Sequence, residues 1–505
     1  MKTLTPKRNR LDDVKQKANN LLFIHHFIVF ALVLAVSLYL MCSINPKRLI
    51  FPACLMLVGT FAWCFWSWFR VTGSIFDPYT LFMASVFLFN GSAAFLYLFH
   101  YSFSDSLGVI FSETVLLKSL FLVTLSTAAI HYGSLSAISR TGKETRNREG
   151  IFNKEFMYDA IYRIGIALLI LSIVPFIVFI RDNIFIVVES GYGGIFQREA
   201  PTGYGAWSNV LSGFFVPGIF FLLIGGKERR HARIISIVLI SIYAVVYLFI
   251  GSRNRALLPL VVFLWLWNYY VSKFKRLSIF SVIILVIVLT FLVFPLIKTV
   301  RAVPGEERAS VQSYLQGLRE LKEPVIAPFA EMGGSFRTIA YALSYVPKER
   351  NYDYGASYLY SLFTVAPNFI WDVHPTIARG TWSDWLVKKV DPYTAERGGG
   401  YGFSFIAEAY ANFGWLGITL FLFAGYYLAK LTLKAIKAEN PAIIALFACF
   451  LPQLLFFARG ESALLVRSVA WYALFPYFCT MAVYRSKMRG STRLSAIQRT
   501  SSPIG

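Results

Sequence analysis

Runs of about 20 apolar residues recur along the chain, parted by short polar or basic breaks, and each run is apolar all round rather than on one helical face. This pattern predicts about twelve membrane-spanning helices: 21–43, 49–69, 78–99, 113–135, 163–180, 208–226, 234–251, 256–272, 278–298, 413–432, 441–458 and 468–484. The expected fold class is therefore an all-α polytopic membrane protein. One stretch breaks the rhythm. Residues 299–412 carry 11 basic and 12 acidic residues and three apolar or amphipathic pieces, Tyr314–Leu321, Phe336–Val346 and Tyr358–Phe369. That is too long for a simple connector, and it reads as a loop with short helices lying over the membrane face. The chain thus divides into 1–298 (spans one to nine), 299–412 (the long loop), 413–484 (spans ten to twelve) and 485–505, a Ser/Thr-rich tail expected to be disordered.

Charge then fixes an orientation. Of 505 residues, 15% are charged and the mean hydropathy is +0.57, which is unlike a soluble domain. A net charge of +22 would otherwise raise nucleic acid as a partner. With both termini in the cytoplasm, the inward segments hold 28 Lys and Arg against 9 Asp and Glu, and the remainder of the chain is near neutral. The basic excess is a positive-inside signal of a bacterial inner membrane, so no nucleic-acid partner is expected. The N-terminal arm and first apolar run read as a signal anchor rather than a cleaved signal peptide. The long loop then faces the periplasm. Cys42, Cys54, Cys64, Cys449 and Cys479 all lie in or beside spans, and neither they nor the scattered histidines form a metal-binding spacing.

Candidate chemistry collects at the outward ends of the spans. Arg253 and Arg255 follow the seventh run in IGSRNRALL, Arg459 ends the eleventh in FFARGES, Arg467 opens the twelfth, and Arg301 and Arg181 close the ninth and fifth. Single arginines at such depths commonly snorkel to head groups. Several converging at one depth suit a diphosphate, which guanidinium groups bind with two prongs. In ERGGGYGFSFIAEAYANFGWLG, Glu408 stands inside an aromatic run, either as a general base with a raised pKa or as a structural partner of an arginine. In WDVHP and TWSDW, Trp371, Trp382 and Trp385 lie beside Asp372, His374 and Asp384. They form either a sugar-stacking platform or an interfacial aromatic belt, with His374 expected to be a structural hydrogen-bonder.

Four stretches, GSRNRALL, EMGGSFRTIAYALSYVP, GGGYGFSFIAEAYANFGWLG and RGESALLVRS, resemble the O-antigen polymerase (Wzy) family in order and spacing. The resemblance implies a GT-C-like glycosyltransferase without a metal or other cofactor. It would move a growing glycan from undecaprenyl diphosphate onto a lipid-linked repeat unit at the periplasmic face. It also implies Arg253, Arg255 and Arg459 as donor-diphosphate ligands and Glu408 as the group acting on the acceptor hydroxyl, with Glu331 and Asp384 as rivals. Arg337 and the Trp-bearing loop (Trp382, Trp385) would hold sugars, with Arg301, Arg467 and Tyr401 lining the substrate path. A chain-length regulator is a possible partner. A lipid-linked oligosaccharide flippase or transporter, or an O-antigen ligase, stays open as an alternative.

Overall fold

The structure is a computed structural model that describes residues 5–41, 45–140, 153–197, 203–274, 326–366, 371, 373–436 and 440–500. Every regular element among them is helical. Nine helices among the described residues are long and apolar enough to cross a membrane: Asp13–Tyr39, Pro46–Thr72, Pro78–Leu98, Glu113–Arg140, Lys154–Ser190, Gly205–Gly225, Arg230–Ile250, Phe405–Ile436 and Ser462–Gly490. Pro441–Phe457 is apolar but shorter. The run expected at 256–272 falls on Arg253–Leu266 and the π-turn Trp267–Val271 that continues it. The run at 278–298, Arg301 and Tyr314–Leu321 lie outside the described residues.

Helix starts follow the sequence closely. Asn45, Asp77 and Asn153 each accept a backbone amide of the first turn through the side chain. The tail departs from expectation, because the final helix, Phe475–Thr500, runs on through residues expected to be disordered. A span already formed nucleates it, and each further residue adds a hydrogen bond at little cost.

Glu113–Arg140 is the most enclosed of the long helices, and Ile418–Ile436 lies along it. The two backbones nearly touch: Ser134 Oγ donates to the Gly425 carbonyl at 3.0 Å, and a Cβ on Gly425 would collide with the Ile130 carbonyl oxygen. Small residues serve this purpose in bilayers, where close packing replaces the hydrophobic drive. Lys154–Ser190 and Arg230–Ile250 instead expose Ile170, Val174, Ile177, Ile242 and Val245, an apolar surface suited to lipid.

A polar network is enclosed at one end of the bundle, where Pro46–Thr72 turns into Pro78–Leu98. Trp63 Nε1 donates to His25 Nδ1 (3.1 Å), and His25 Nε2 meets the Ala128 carbonyl (2.9 Å). His131 bonds Ser67 Oγ and Tyr79 OH, both at 2.6 Å, and Trp68 Nε1 donates to Asp77 at 3.0 Å. Beyond it, Asp159 gathers Arg163, Arg229 and Lys487 from three segments.

Candidate active site at the opposite end

The other end is built on an irregularity in the third span. Pro78–Leu98 contains a π-turn at Phe87–Gly91, which presents Asn90 to the neighbouring segments. Asn90 donates to the Ala458 carbonyl (2.9 Å) and accepts from Ser404 Oγ (2.7 Å), fixing the loop that carries Arg459 and the start of the Phe405–Phe413 helix. Two residues on, Ser92 Oγ donates to the Phe329 carbonyl (2.9 Å) and anchors the short helix Ile326–Met332, which carries Glu331. A lone asparagine in FLFNGSAAF was the sequence signal for this pivot, since polar groups inside spans are expensive.

Around the pivot, Arg459 lies within electrostatic reach of Arg253, Arg337 and Glu331, and Arg337 lies within reach of Asp391. Arg253, in the first turn of Arg253–Leu266, forks onto both oxygens of Glu331, with Nη1 at 3.0 Å from Oε2. Arg337 sits 3.9 Å over the Tyr401 ring and donates Nη1 to the Leu107 carbonyl (3.1 Å). Its buried Nε has no hydrogen-bond partner. Arg459 lies beside Gly402, whose φ of +71° and missing Cβ let the chain pass within van der Waals reach of the guanidinium. Burial lowers the Arg459 pKa, Glu331 opposes that, and Arg253 and Arg337 add to it by repulsion. It remains a cation all the same. Tyr401 donates to Asp391 at 2.5 Å, and burial together with that carboxylate pushes its pKa up to about 12.

Arg255 stands apart from this basin. Two residues after Arg253, it points to another face of the helix, is exposed, and lies 5.8 Å from the Tyr247 ring. Arg467 and Arg255 both lie within electrostatic reach of Tyr472, and Tyr192 lies within reach of Arg255 and Arg459. Arg181 pairs with its neighbour Asp182 at 2.9 Å and is exposed.

On the far side of residues 458–461 lies a second cluster. Glu408, 1% exposed, accepts from Ser357 Oγ (2.9 Å), Ser462 Oγ (2.6 Å) and Ser462 N (2.7 Å). It therefore caps the Ser462–Ser468 helix, and its oxygens are not free in the way a waiting base requires. Glu461 does the same for Trp382–Val390, accepting from the amides of Trp382 (3.0 Å) and Ser383 (3.3 Å). Burial and the Glu408 charge push its pKa up to about 7. Asp353 pairs with Arg379 and with Arg350 (3.8 Å), and Arg350 lies 3.7 Å over Trp382.

The aromatic loop differs from expectation. Trp382 is 1% exposed, stacked on Phe403 and covered by Arg350, so its ring faces are already occupied and it is a core residue rather than a sugar platform. Asp384 closes the capping box with Thr381. Trp385 is half-buried against Trp382 and Tyr345. His374 caps Pro375–Arg379 and bonds the Ala366 carbonyl (3.2 Å), the structural role expected of it. Arg350, Asp353 and Arg379 went unremarked in the sequence because isolated charges in a loop carry no spacing signal. Among the described residues, no three His, Cys, Asp or Glu side chains converge as a metal-ligand set.

Fold and site together define a class: a polytopic all-helical membrane protein with a cationic basin gathered at one end of its spans. A family profile for the O-antigen polysaccharide polymerase Wzy matches residues 23–489. The chain belongs to that family, whose members are glycosyltransferase-type polymerases acting on lipid-linked oligosaccharide repeat units. No curated protein and no solved structure matches it.

Proposed function

We propose that the chain elongates a surface polysaccharide on the periplasmic face of a bacterial inner membrane, transferring the growing glycan from undecaprenyl diphosphate to the distal sugar of a new lipid-linked repeat unit. The observation carrying this reading is the gathering of Arg253, Arg337 and Arg459 at one end of the spans, with Glu331 and Asp391 as the carboxylates beside them among the described residues. Among the described residues, three guanidinium groups against two carboxylates, Glu331 and Asp391, leave a positive excess that an anionic diphosphate complements, and the unpartnered Nε of Arg337 is one donor ready for it. As the bond from the anomeric carbon to the phosphate oxygen breaks, charge builds on that oxygen, and fixed cations in a partly dry site stabilise it.

Proton transfer falls to Glu331 in this reading. The fork from Arg253 holds it while the site is empty, and an arriving diphosphate competes for Arg253 and releases the carboxylate toward the acceptor hydroxyl. The hydroxyl oxygen bonds to the anomeric carbon, its proton goes to Glu331, and polyprenyl diphosphate leaves with the electron pair. Glu408 and Glu461 position the segments around this centre through the helix ends they cap.

Gene deletion followed by electrophoresis of the extracted glycan tests the reading. A ladder that collapses to a single repeat unit, is restored by wild type and is not restored by Arg459→Ala supports it. Bare core without any repeat would point to a flippase or ligase instead, and a ladder restored by Arg459→Ala would remove the diphosphate role of the basin.

A further inference from the structure

A polymerase of this kind holds two lipid-linked glycans at once, and the basin of Arg253, Arg337 and Arg459 accounts for one diphosphate. A second pair of guanidinium groups stands beside it. Arg255 is exposed and Arg467 half-buried, and neither forms an ion pair with a carboxylate among the described residues. Their neighbours are phenols instead. Arg255 lies 5.8 Å from the Tyr247 ring, and Tyr472 is within electrostatic reach of both arginines. A tyrosine is neutral near pH 7, so it can hold a guanidinium through ring and oxygen without cancelling the charge. The pair therefore keeps its positive charge for an anion with two phosphates.

The surroundings hold the pair in place. Tyr472 OH donates to the Val210 carbonyl at 3.2 Å, and its ring lies so close over Gly213 that a Cβ there would collide with it. Tyr472 belongs to the π-turn Val469–Leu474, which joins the Arg467-bearing helix Ser462–Ser468 to the last helix. Arg255 sits in the first turn of Arg253–Leu266, whose N-terminus is not capped by the Ser252 side chain and adds its own positive end. Two residues apart, Arg253 and Arg255 differ by about 200° of rotation about that helix, so one turn serves two separate places. Tyr192, within reach of Arg255 and of Arg459, stands at the border between them.

Apolar span surface leads up to this pair from two sides. Leu464, Leu474, Phe475 and Phe478 are exposed along the run of helix that carries Arg467. Val245 and Phe249 are exposed on either side of Tyr247 on Arg230–Ile250. A lipid whose chain covers such faces carries its phosphates at the level of the two arginines.

We infer that Arg255 and Arg467 bind the diphosphate of the acceptor, a second lipid-linked glycan lying beside the donor across the start of the Arg253–Leu266 helix. This rests on the polymerase reading, and it moves Arg255 out of the donor set in which its nearness to Arg253 in the sequence had placed it. The acceptor glycan then arches outward from the pair, and its distal hydroxyl returns over the helix start to Glu331.

The test uses the full-length protein in lipid nanodiscs, with single lipid-linked repeats extracted from a strain lacking the gene as acceptor and pre-extended lipid-linked glycan as donor. The two are varied separately. Arg255→Gln and Arg467→Gln are each expected to raise KM for the acceptor by about tenfold, the scale of one charged hydrogen bond, and to leave KM for the donor unchanged. Arg255→Lys recovers part of the loss. An unchanged acceptor KM in both variants, or a rise shared equally by both substrates, would overturn the assignment while leaving the basin's role intact. If the wild type forms no polymer from these substrates, the polymerase reading itself fails. Binding checks the pair without relying on turnover. In native mass spectrometry with undecaprenyl diphosphate, the wild type should carry two of these lipids and the Arg255→Gln/Arg467→Gln double variant only one. A single lipid on the wild type would overturn the assignment. So would a second lipid that phosphatidylglycerol displaces equally well, because the pair would then be a site for ordinary phospholipid.

Discussion

The two ends of the bundle both enclose polar groups, but they treat them differently. At one end, His25, Trp63, Ser67, Trp68, Asp77, Tyr79 and His131 bond to one another or to nearby backbone. At the other, Arg337 keeps a buried Nε unmatched, three guanidinium groups stand against two carboxylates among the described residues, and Arg459 sits among like charges. A closed network of this kind rigidifies a core and has little to offer a ligand, whereas an unfinished one costs stability that binding can return. Polar residues inside a membrane therefore do not all point to function. What separates the two cases is whether the partners are already supplied by the protein.

Glu331→Gln offers the sharpest contrast. The substitution preserves shape and removes the proton acceptor, and turnover should fall by roughly 10²–10⁴ with donor binding largely kept, as measured by initial rates and donor KM. Normal turnover would move the transfer step away from this carboxylate. His131→Phe probes the closed network. Ser67 and Tyr79 lose their shared partner, so stability should drop by about 2–4 kcal/mol in a detergent-melting experiment while turnover per folded molecule stays within about twofold. A specific loss of turnover without loss of stability would dissolve the distinction between the two ends.

The smallest effect concerns pH. Because the folded pKa of Glu461 is raised from 4.5 to about 7, its contribution to stability is fully present below pH 4.5 and is lost as pH rises through 7. Glu461→Gln should flatten that decline in a series of melting curves. An identical pH profile in wild type and variant would mean that another group carries it.

Much of the architecture was legible because continuous apolarity over a bilayer's width suits a membrane span and little else. The arginines were legible for a related reason: SRNR and ARGES place permanent charge where apolar runs stop. Arg253, Arg337, Arg459 and Glu331 come together in the fold, although 206 residue positions separate Arg253 from Arg459. Pairings were not legible. That Glu408 would spend its oxygens on Ser357 and Ser462, or that Trp382 would lie beneath Arg350, depends on contacts between distant parts of the chain with no local spacing to announce them. The helical tail was missed because its composition resembles disorder, and only attachment to a span makes it helical.

The π-turn at Phe87–Gly91 has a genetic counterpart. Such a turn is an α-helix with one residue more than its register needs, so removing a single codon there would leave a smoother helix with a better ladder of backbone bonds. The flanking turns would keep their facing, because the wide turn already absorbs the extra residue; what would be lost is the bulge itself, and with it the placement of Asn90 against the Ala458 carbonyl and Ser404. A deletion that looks harmless in a span, and that strengthens the helix as a helix, would thus disassemble the site. A single-residue loss elsewhere in this span would act differently, turning everything beyond it by about 100°.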